Sequence, residues 1–272
     1  MDILCPVCGK ALKLVDRSYI CENRHCYDVA KSGYVNLLPP SPGGKRHGDD
    51  RLMVDARTDF LSQGWYGHLE DAVASLAEEF TLSGDSIVDA GCGEGTYTRR
   101  VKDRLLSSGK EVRIVGIDIS VDALKRAARL LPGDTFCAAS TAHMPLANGS
   151  AGLILNIFSP FMAAEFHRVL RPGGHLIRVV PLERHLWELK ALIYDTPYEN
   201  PPMNMLADGF EIIRSEELRR VIDLPTPEDV QALFRMTPYY YKTGKADQQK
   251  LEKISSLSVS TEFGLTVYRR KE

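Results

Sequence analysis

The chain reads Ile87-Val88-Asp89-Ala90-Gly91-Cys92-Gly93-Glu94-Gly95 at the point where an apolar run gives way to a helical pattern. Three glycines at alternate positions, between a strand and a helix, let the backbone approach a ligand without Cβ clashes. The third glycine comes one residue too early for Gly-x-Gly-x-x-Gly, which disfavours NAD. Asp118 ends the next apolar run, where a carboxylate can accept both ribose hydroxyls of an adenosine group. The spacing therefore predicts a nucleotide-like ligand between Asp89 and Asp118.

Short apolar runs alternate with helical patterns around this loop. Strands are predicted at residues 86–90, 112–117, 135–139, 153–158 and 175–180, helices at 66–80, 97–106, 121–131 and through 166–170, and a turn at 171–174. The C-terminal part adds helices near 186–194 and from Thr226-Pro227, with strands around 210–213, 218–224 and 261–268. This order predicts a doubly wound α/β domain, with a parallel sheet covered by helices on both faces.

Composition places the chain among ordinary soluble globular proteins, with 44% hydrophobic and 26% charged residues. The formal net charge of −2 provides no global positive field that would indicate a nucleic-acid partner. The N-terminus has no basic start followed by an apolar run, so we expect no secretory signal and a cytoplasmic protein. Asn, Gly and Pro interrupt the longest uncharged stretch, residues 146–164, so we expect no membrane segment.

Four of the six cysteines lie within the first 26 residues. Cys5-x2-Cys8 and, after twelve intervening residues, Cys21-x3-His25 present four ligands in two close pairs, as tetrahedral Zn²⁺ requires. Cys26 would complete a four-cysteine site almost as well, and adjacent side chains cannot easily both bind one ion. The spacing therefore leaves His25 and Cys26 open as the fourth ligand. A closed site of this kind leaves no position for water, so the zinc is expected to be structural.

Both motifs resemble known families. Asp89-x-Gly-x-Gly-x-Gly with a strand-terminal Asp118 is the pattern of class I S-adenosylmethionine-dependent methyltransferases, which the chain resembles from about Tyr66 to its end. Nearly the whole chain resembles the RlmA/TlrB-type enzymes, which methylate N1 of a guanine in 23S ribosomal RNA. The segments that carry this resemblance are Cys5-Pro6-Val7-Cys8, Ser18-Tyr19-Ile20-Cys21 with His25, Lys31-Ser32-Gly33-Tyr34-Val35-Asn36-Leu37-Leu38, Gly64-Trp65-Tyr66, the glycine-rich loop and Arg184-His185-Leu186-Trp187-Glu188-Leu189-Lys190.

The Pro-, Gly- and charge-rich stretch after residue 38 predicts a linker at 39–60. The resemblance implies a zinc-binding, RNA-recognition module before it, at residues 1–38, and a methyltransferase domain after it, at 61–272. It implies Zn²⁺ on Cys5, Cys8, Cys21 and His25. It also implies S-adenosylmethionine on Tyr66, Asp89, Gly91, Gly93, Glu94, Gly95, Asp118 and His185. Tyr66 and His185 could equally be core residues, and Asp89 could fix the loop instead of binding the methionine amino group.

Methylation at N1 of guanine requires loss of the proton on that nitrogen, so a base or a partner for O6 is expected. The candidates are His143, Asn156 and His185. The guanine must also leave its stack, and Phe158 or Phe161 could supply an aromatic wall. The segment from Asn156 lacks the Asn-Pro-Pro-Tyr motif of enzymes that methylate exocyclic amino groups, which argues against such a target and leaves the ring nitrogen open.

The implied partner is a hairpin loop of 23S ribosomal RNA, and a homodimer formed through the zinc module is also expected. Because the net charge is nearly neutral, RNA phosphates would be bound locally, with candidates Lys10, Lys13, Arg17 and Arg24. Two alternatives share these features: a methyltransferase acting on a small molecule, and a catalytically inactive zinc-containing RNA-binding or assembly factor.

Overall fold

The computed structural model of the chain describes residues 1–39, 48–202 and 204–272. The strands are β1 (Lys13–Val15), β2 (Ser18–Ile20), β3 (Cys26–Asp28), β4 (Tyr34–Asn36), β5 (Ser86–Ala90), β6 (Arg113–Asp118), β7 (Thr135–Ala138), β8 (Ala151–Ile157), β9 (Leu170–Pro181), β10 (Phe210–Leu224) and β11 (Leu257–Arg270). The helices are α1 (Arg51–Ser62), α2 (Gly67–Phe80), α3 (Thr96–Ser107), α4 (Val121–Leu130), α5 (Ala163–Val169), α6 (Trp187–Ile193), α7 (Pro227–Arg235), α8 (Tyr239–Lys242) and α9 (Lys245–Leu251).

Eight strands form one sheet in the order β10-β11-β9-β8-β5-β6-β7-β4. Strands β4 to β9 pair in parallel, which confirms the doubly wound α/β prediction, but β11 is antiparallel to both of its neighbours. The expected all-parallel sheet is therefore wrong at this edge. After α7 to α9 the chain returns beside β10 in the opposite direction. The sequence could not predict this, because an apolar run does not reveal the direction in which its strand is inserted into a sheet.

Side chains on successive residues of the central strands enter two separate cores. Ile87 and Leu153 pack on the face that carries α2, whereas Val88 and Ile154 pack on the other face, and all four are fully buried. Burial on both faces explains why these strands are continuous apolar runs. The strand order reverses between β5 and β8, so a crevice opens at their carboxyl ends, where such sheets bind ligands.

The predicted linker at residues 39–60 is wrong in its second half, which forms α1. Asp50 caps the start of this helix, and its carboxylate accepts a 3.0 Å hydrogen bond from the Met53 N–H. Met53, Val54 and Phe60 are buried at helical spacing, a stripe hidden in the sequence by the charged residues between them. Residues 40–47 of the linker lie outside the described residues.

The N-terminal region is also joined more closely to the large domain than the predicted boundary at residue 38 suggests. Strands β1 to β3 form their own small sheet, but β4 extends the large sheet by pairing with β7, with Val35 opposite Cys137. Ile3 forms a β-bridge with Leu146, and both are buried in one core. A three-residue edge strand carries too little periodicity to be recognised in a sequence.

Two further predictions need correction. Residues 171–174, expected to form a turn, lie within β9, where Leu170 pairs with Ala151 and His175 with Leu153, so the intervening residues bulge from the ladder. The two strands predicted at 210–213 and 218–224 form one strand, β10, with an irregularity between Ile212 and Arg214.

Among the described residues, no helix combines the length and apolar character needed to cross a bilayer.

Candidate active site and metal site

Four side chains of the N-terminal region converge on one point: Cys5, Cys8, Cys21 and His25, whose ligand atoms all lie within 4.8 Å of one another. The Sγ atoms of Cys8 and Cys21 are 3.7 Å apart, and His25 Nδ1 is 3.4 Å from the Sγ atoms of both Cys5 and Cys21. Tetrahedral zinc with its usual bond lengths needs ligand separations of about 3.5 to 3.8 Å. The four residues therefore fit a zinc ion in size and in donor type.

The surroundings of Cys5 favour the thiolate that binds metal. Burial opposes its ionisation, but a hydrogen bond with Tyr27 and the backbone N–H groups of Cys8 and Val7 outweigh burial and lower its pKa to about 6. Cys26, the alternative fourth ligand, is exposed and outside the cluster. The geometry therefore supports His25 in preference to Cys26.

The glycine-rich loop joins β5 to α3 and requires glycine at specific positions. Gly91 has φ 94°, and a Cβ there would lie 2.3 Å from Cβ of Ser159. Gly95 has φ 90°, and a Cβ there would lie 3.1 Å from the backbone of Ala127 in α4. The loop thus packs tightly against two neighbouring segments. Hydrogen bonds to Ile117, Asp118 and Cys92 also engage the N–H groups of Gly91, Cys92, Gly93 and Gly95, so the loop is held in one conformation.

Asp89 is the penultimate residue of β5, just before this loop, and is almost fully buried. Oδ2 accepts a 2.6 Å hydrogen bond from Thr98, but Oδ1 has no hydrogen-bond partner among the described residues. Burial raises the pKa of Asp89 to about 7, with further contributions from Asp118 and Glu94. An unpartnered buried carboxylate oxygen indicates that a donor or cation belongs beside it.

Glu94 shows the same feature in the loop itself. It is buried, its pKa is raised by burial, and its Oε2 makes no hydrogen bond to a described residue, although the guanidinium of Arg57 lies 3.8 Å away. Two atoms that sequence reasoning missed share this property, the hydroxyl of Tyr97 and Oε1 of Glu70. Burial, together with Tyr66, Glu70 and Glu94, raises the pKa of Tyr97. Glu70 and Glu94 line the same open cavity. Such a set of acceptors fits the positively charged sulfur and ammonium of S-adenosylmethionine.

Asp118 ends β6 next to the loop. Its Oδ2 accepts a 2.9 Å hydrogen bond from the Gly93 N–H, and its Oδ1 accepts a 2.7 Å hydrogen bond from the Ser120 N–H. Each carboxylate oxygen has a second lone pair, so Asp118 can still accept from ribose hydroxyls as predicted. The backbone bonds hold the carboxylate in a fixed orientation at the end of the strand.

Tyr66 and His185 lie together, with Tyr66 Oη 3.4 Å from His185 Nε2, and both rings pack against Phe263. The Glu262 N–H donates to His185 Nδ1 at 3.1 Å, which assigns the ring proton to Nε2. Burial, together with the charge of Lys190, lowers the pKa of His185 to about 3. His185 is therefore neutral at physiological pH and is a hydrogen-bond donor at Nε2.

The row of aromatic rings continues to the crevice. Phe263 contacts Phe158, whose ring also packs edge-on against Tyr97 at the start of α3. Phe158 directly follows β8, is 43% exposed and has a left-handed backbone with φ 53°. A large apolar side chain that is both exposed and held in a strained conformation is a feature of functional sites.

The remaining candidates occupy different positions. Asn156 is buried, and its amide donates hydrogen bonds to Ser159 and Pro160, so it braces the segment that carries Phe158. Phe161 packs against Phe166 and Tyr268. His143 is exposed in the loop after β7. Lys10, Lys13, Arg17 and Arg24 are all exposed, and Lys10 pairs with Glu22 at 2.9 Å.

Two family models match the chain. Residues 3–41 match the model described as "RlmA, N-terminal", a zinc ribbon, and residues 87–174 match a "Methyltransferase domain". The solved structure of YcgJ from Bacillus subtilis superposes with a TM-score of 0.50 at 14% identity, covering 74% of this chain and 99% of YcgJ. These matches and the site define a class I methyltransferase that uses S-adenosylmethionine and carries a structural zinc ribbon.

Curated relatives specify the family. The 23S rRNA (guanine(748)-N(1))-methyltransferase of Streptomyces fradiae is 36% identical over 81% of this chain and 79% of its own length. YxjB of Bacillus subtilis (strain 168), whose name also refers to 23S rRNA guanine-N1 methylation, is 28% identical over 97% of this chain and 95% of its own. A malonyl-[acyl-carrier protein] O-methyltransferase of Hahella chejuensis is 31% identical over only 52% of each chain. The chain belongs to the RlmA/TlrB-type family of 23S rRNA (guanine-N1)-methyltransferases.

Proposed function

We propose that this protein transfers a methyl group from S-adenosylmethionine to N1 of a guanine in a hairpin loop of 23S ribosomal RNA. The observation that carries the proposal is the 36% identity to the Streptomyces fradiae guanine-N1 methyltransferase over 81% of the chain. A cytoplasmic protein, as expected from the sequence, would meet this substrate. The homodimer expected through the zinc module stays a prediction.

The two sites have separate tasks in this proposal. Cys5, Cys8, Cys21 and His25 hold the zinc that shapes the N-terminal ribbon. Asp89, Glu94 and Asp118 bind the cofactor at the end of the sheet, together with the glycines of the loop. S-adenosylmethionine supplies an already activated methyl group, so the chain has mainly to orient the reactants and exclude water.

Phe158 is the residue best placed to stack on the target base. Of the two aromatic residues that the sequence offered for this task, Phe161 is occupied by Phe166, Tyr268 and the guanidinium of Arg178, which lies 4.2 Å from its ring centroid. Phe158 is exposed at the carboxyl end of β8, where the crevice opens. Base-to-aromatic stacking contributes about 1 to 3 kcal/mol, which offsets part of the cost of unstacking the guanine.

The proton on N1 needs an acceptor other than His185. A side chain with a pKa of about 3 is a poor base, and its Nε2 already carries the ring proton. Asn156 has no basic atom and is engaged in bracing the loop. His143 is the only one of the three candidates that is exposed and able to accept a proton, so we retain it as the candidate base.

RNA binding by the ribbon is supported by its exposed basic side chains. Lys13, Arg17 and Arg24 make no ion pair with a described residue, whereas Lys10 is neutralised by Glu22. The first three are therefore better suited than Lys10 to contact phosphates, and each contact should steepen the dependence of binding on salt.

The experiment is methylation of protein-free, unmodified 23S ribosomal RNA with labelled donor, followed by mapping of reverse-transcription stops. N1 methylation blocks Watson–Crick pairing, so we expect one strong new stop beside a guanine in a hairpin loop. Gly93→Val, which introduces a branched side chain where the loop must approach the cofactor, serves as an inactive control. Label incorporated at another ring position, or into pooled small metabolites alone, would refute the proposal.

A further inference from the structure

We propose that Arg57 is a positioning residue for the cofactor, because its guanidinium fixes residues 48–50 beside the glycine-rich loop and across the end of β6. Sequence patterns indicated no role for this residue, which was expected to lie in a linker. The inference rests on the proposed function, since it assumes that S-adenosylmethionine binds at this loop.

Arg57 connects α1 to the loop through two contacts. Its Nη2 donates a 2.5 Å hydrogen bond to Asp49, and its Nη1 lies 3.8 Å from Oε2 of Glu94. The same Nη1 lies 3.7 Å from the position that a Cβ on Gly93 would occupy. The guanidinium thus spans the space between the start of α1 and the middle glycine of the loop.

The segment before α1 is held against the end of β6. Ser120 donates a 2.6 Å hydrogen bond from its hydroxyl to the backbone oxygen of Asp49. A Cβ on Gly48 would come within 2.9 Å of the Ser120 nitrogen, so the two backbones are in close contact. The Ser120 N–H also binds Asp118. Asp49 and Asp118 therefore lie on two sides of Ser120, where the adenosine end of the cofactor is expected.

The charges show why an arginine is needed at this position. Burial opposes the charge of Arg57, but Glu94, Asp49 and Asp118 outweigh that effect and raise its pKa. Without the guanidinium, three carboxylates would repel one another in a poorly solvated site. With the guanidinium present, these four side chains together retain a net negative charge. This charge favours the cationic donor over the product, whose sulfur is no longer charged.

A matched pair of arginine substitutions separates this role from simple anchoring of α1. Arg126 in α4 also makes an ion pair with α1, through Asp55, but it makes no hydrogen bond or ion pair with the glycine-rich loop among the described residues. We expect Arg57→Ala to raise the Kd and KM for S-adenosylmethionine about 10- to 100-fold, while kcat at saturating donor stays within about twofold. Arg57→Lys should recover part of the affinity, and Arg126→Ala should bind the donor as the wild type does.

Asp49→Asn tests whether the Arg57–Asp49 ion pair affects donor binding as a single unit. If it does, Arg57→Ala combined with Asp49→Asn should bind the donor no more weakly than Arg57→Ala alone. Calorimetric titration of each folded variant gives these values. Wild-type affinity in Arg57→Ala, or equal losses in Arg57→Ala and Arg126→Ala, would overturn the inference while leaving the proposed function intact. Failure of the wild-type protein to bind the donor would overturn the proposed function itself.

Discussion

The hydroxyl of Thr98 donates a 2.6 Å hydrogen bond to Oδ2 of Asp89, whereas Oδ1 of the same carboxyl group is buried without a partner among the described residues. Thr98 favours the ionised form, but burial outweighs it and raises the pKa of Asp89 to about 7. The carboxyl group therefore changes its charge near physiological pH in the cofactor-free protein. A cation bound beside Oδ1 would stabilise the ionised form, so ligand binding and proton release are coupled.

Donor affinity should accordingly increase with pH. Because the cation favours ionised Asp89, each pH unit below about 7 should weaken S-adenosylmethionine binding by up to about tenfold, and binding should level off above that pH. Calorimetry at pH 6, 7 and 8 measures the dependence. Asp89→Asn should bind weakly at every pH, and Thr98→Val, which removes a hydrogen bond to the carboxylate, should move the curve to higher pH. An affinity for the wild type that does not vary with pH would contradict the coupling.

The same group should destabilise the cofactor-free fold at high pH. The folded pKa of about 7 lies above the ordinary value of 3.8, so the unfolded chain releases this proton first and stability falls as the pH rises from about 4 to about 7. Asp89→Asn should therefore increase the free energy of unfolding at pH 8 by a few kcal/mol, because each pH unit between the two pKa values corresponds to about 1.4 kcal/mol. Urea denaturation at pH 4.5 and pH 8 tests this, and a gain of equal size at both values would exclude titration of Asp89 as the cause.

The fourth zinc ligand can be identified by comparing two adjacent residues. His25→Ala should lose zinc, because Nδ1 of His25 lies within 3.4 Å of two of the cysteine sulfurs. Cys26→Ala should retain it, because Cys26 is exposed and outside the cluster. Zinc content of the purified variants, measured by atomic emission, distinguishes the two. The reverse pattern would assign the site to four cysteines.

Loss of zinc should destabilise more than the ribbon. The sequence predicts two modules, in which Cys21→Ala unfolds only the N-terminal one. Pairing of β4 with β7 and burial of Ile3 beside Leu146 in one shared core instead connect the ribbon to the large domain. We expect Cys21→Ala, or chelation, to lower the Tm of the main calorimetric transition. An unchanged Tm of the main transition, together with a separate transition at lower temperature, would support two independent modules.

Removal of the stacking ring should affect RNA methylation more than folding. Phe158→Ala should lower kcat/KM for RNA about 10- to 100-fold, the equivalent of one lost base-to-aromatic stack, while donor affinity is unchanged. Phe161→Ala is the matched control, because it should lower the Tm through lost packing against Phe166 and Tyr268. Phe158→Trp should preserve activity. Similar losses of activity in both alanine variants at equal stability would remove Phe158 from its proposed role.

Much of the fold could be predicted from local patterns. The strand predicted at 86–90 and the helix predicted at 121–131 agree closely with β5 and α4, since buried strands and amphipathic helices have strong local signatures. Helix α1 was missed because charged residues mask its apolar stripe. The antiparallel insertion of β11 was missed because strand direction depends on partners distant in sequence.

The sequence by itself determined the two motifs that define the chemistry. Cysteine spacing and alternate glycines are local properties of a short segment, since a tight turn suffices to direct paired ligands toward one point and glycines let the backbone approach a ligand without Cβ clashes. Only the tertiary structure decided which side chains share a site. Arg57 reaches Glu94 from a helix that precedes the loop in the chain, and Phe158 rather than Phe161 is exposed at the crevice. Such contacts depend on how helices and loops pack over the sheet, and packing is a property of the whole chain.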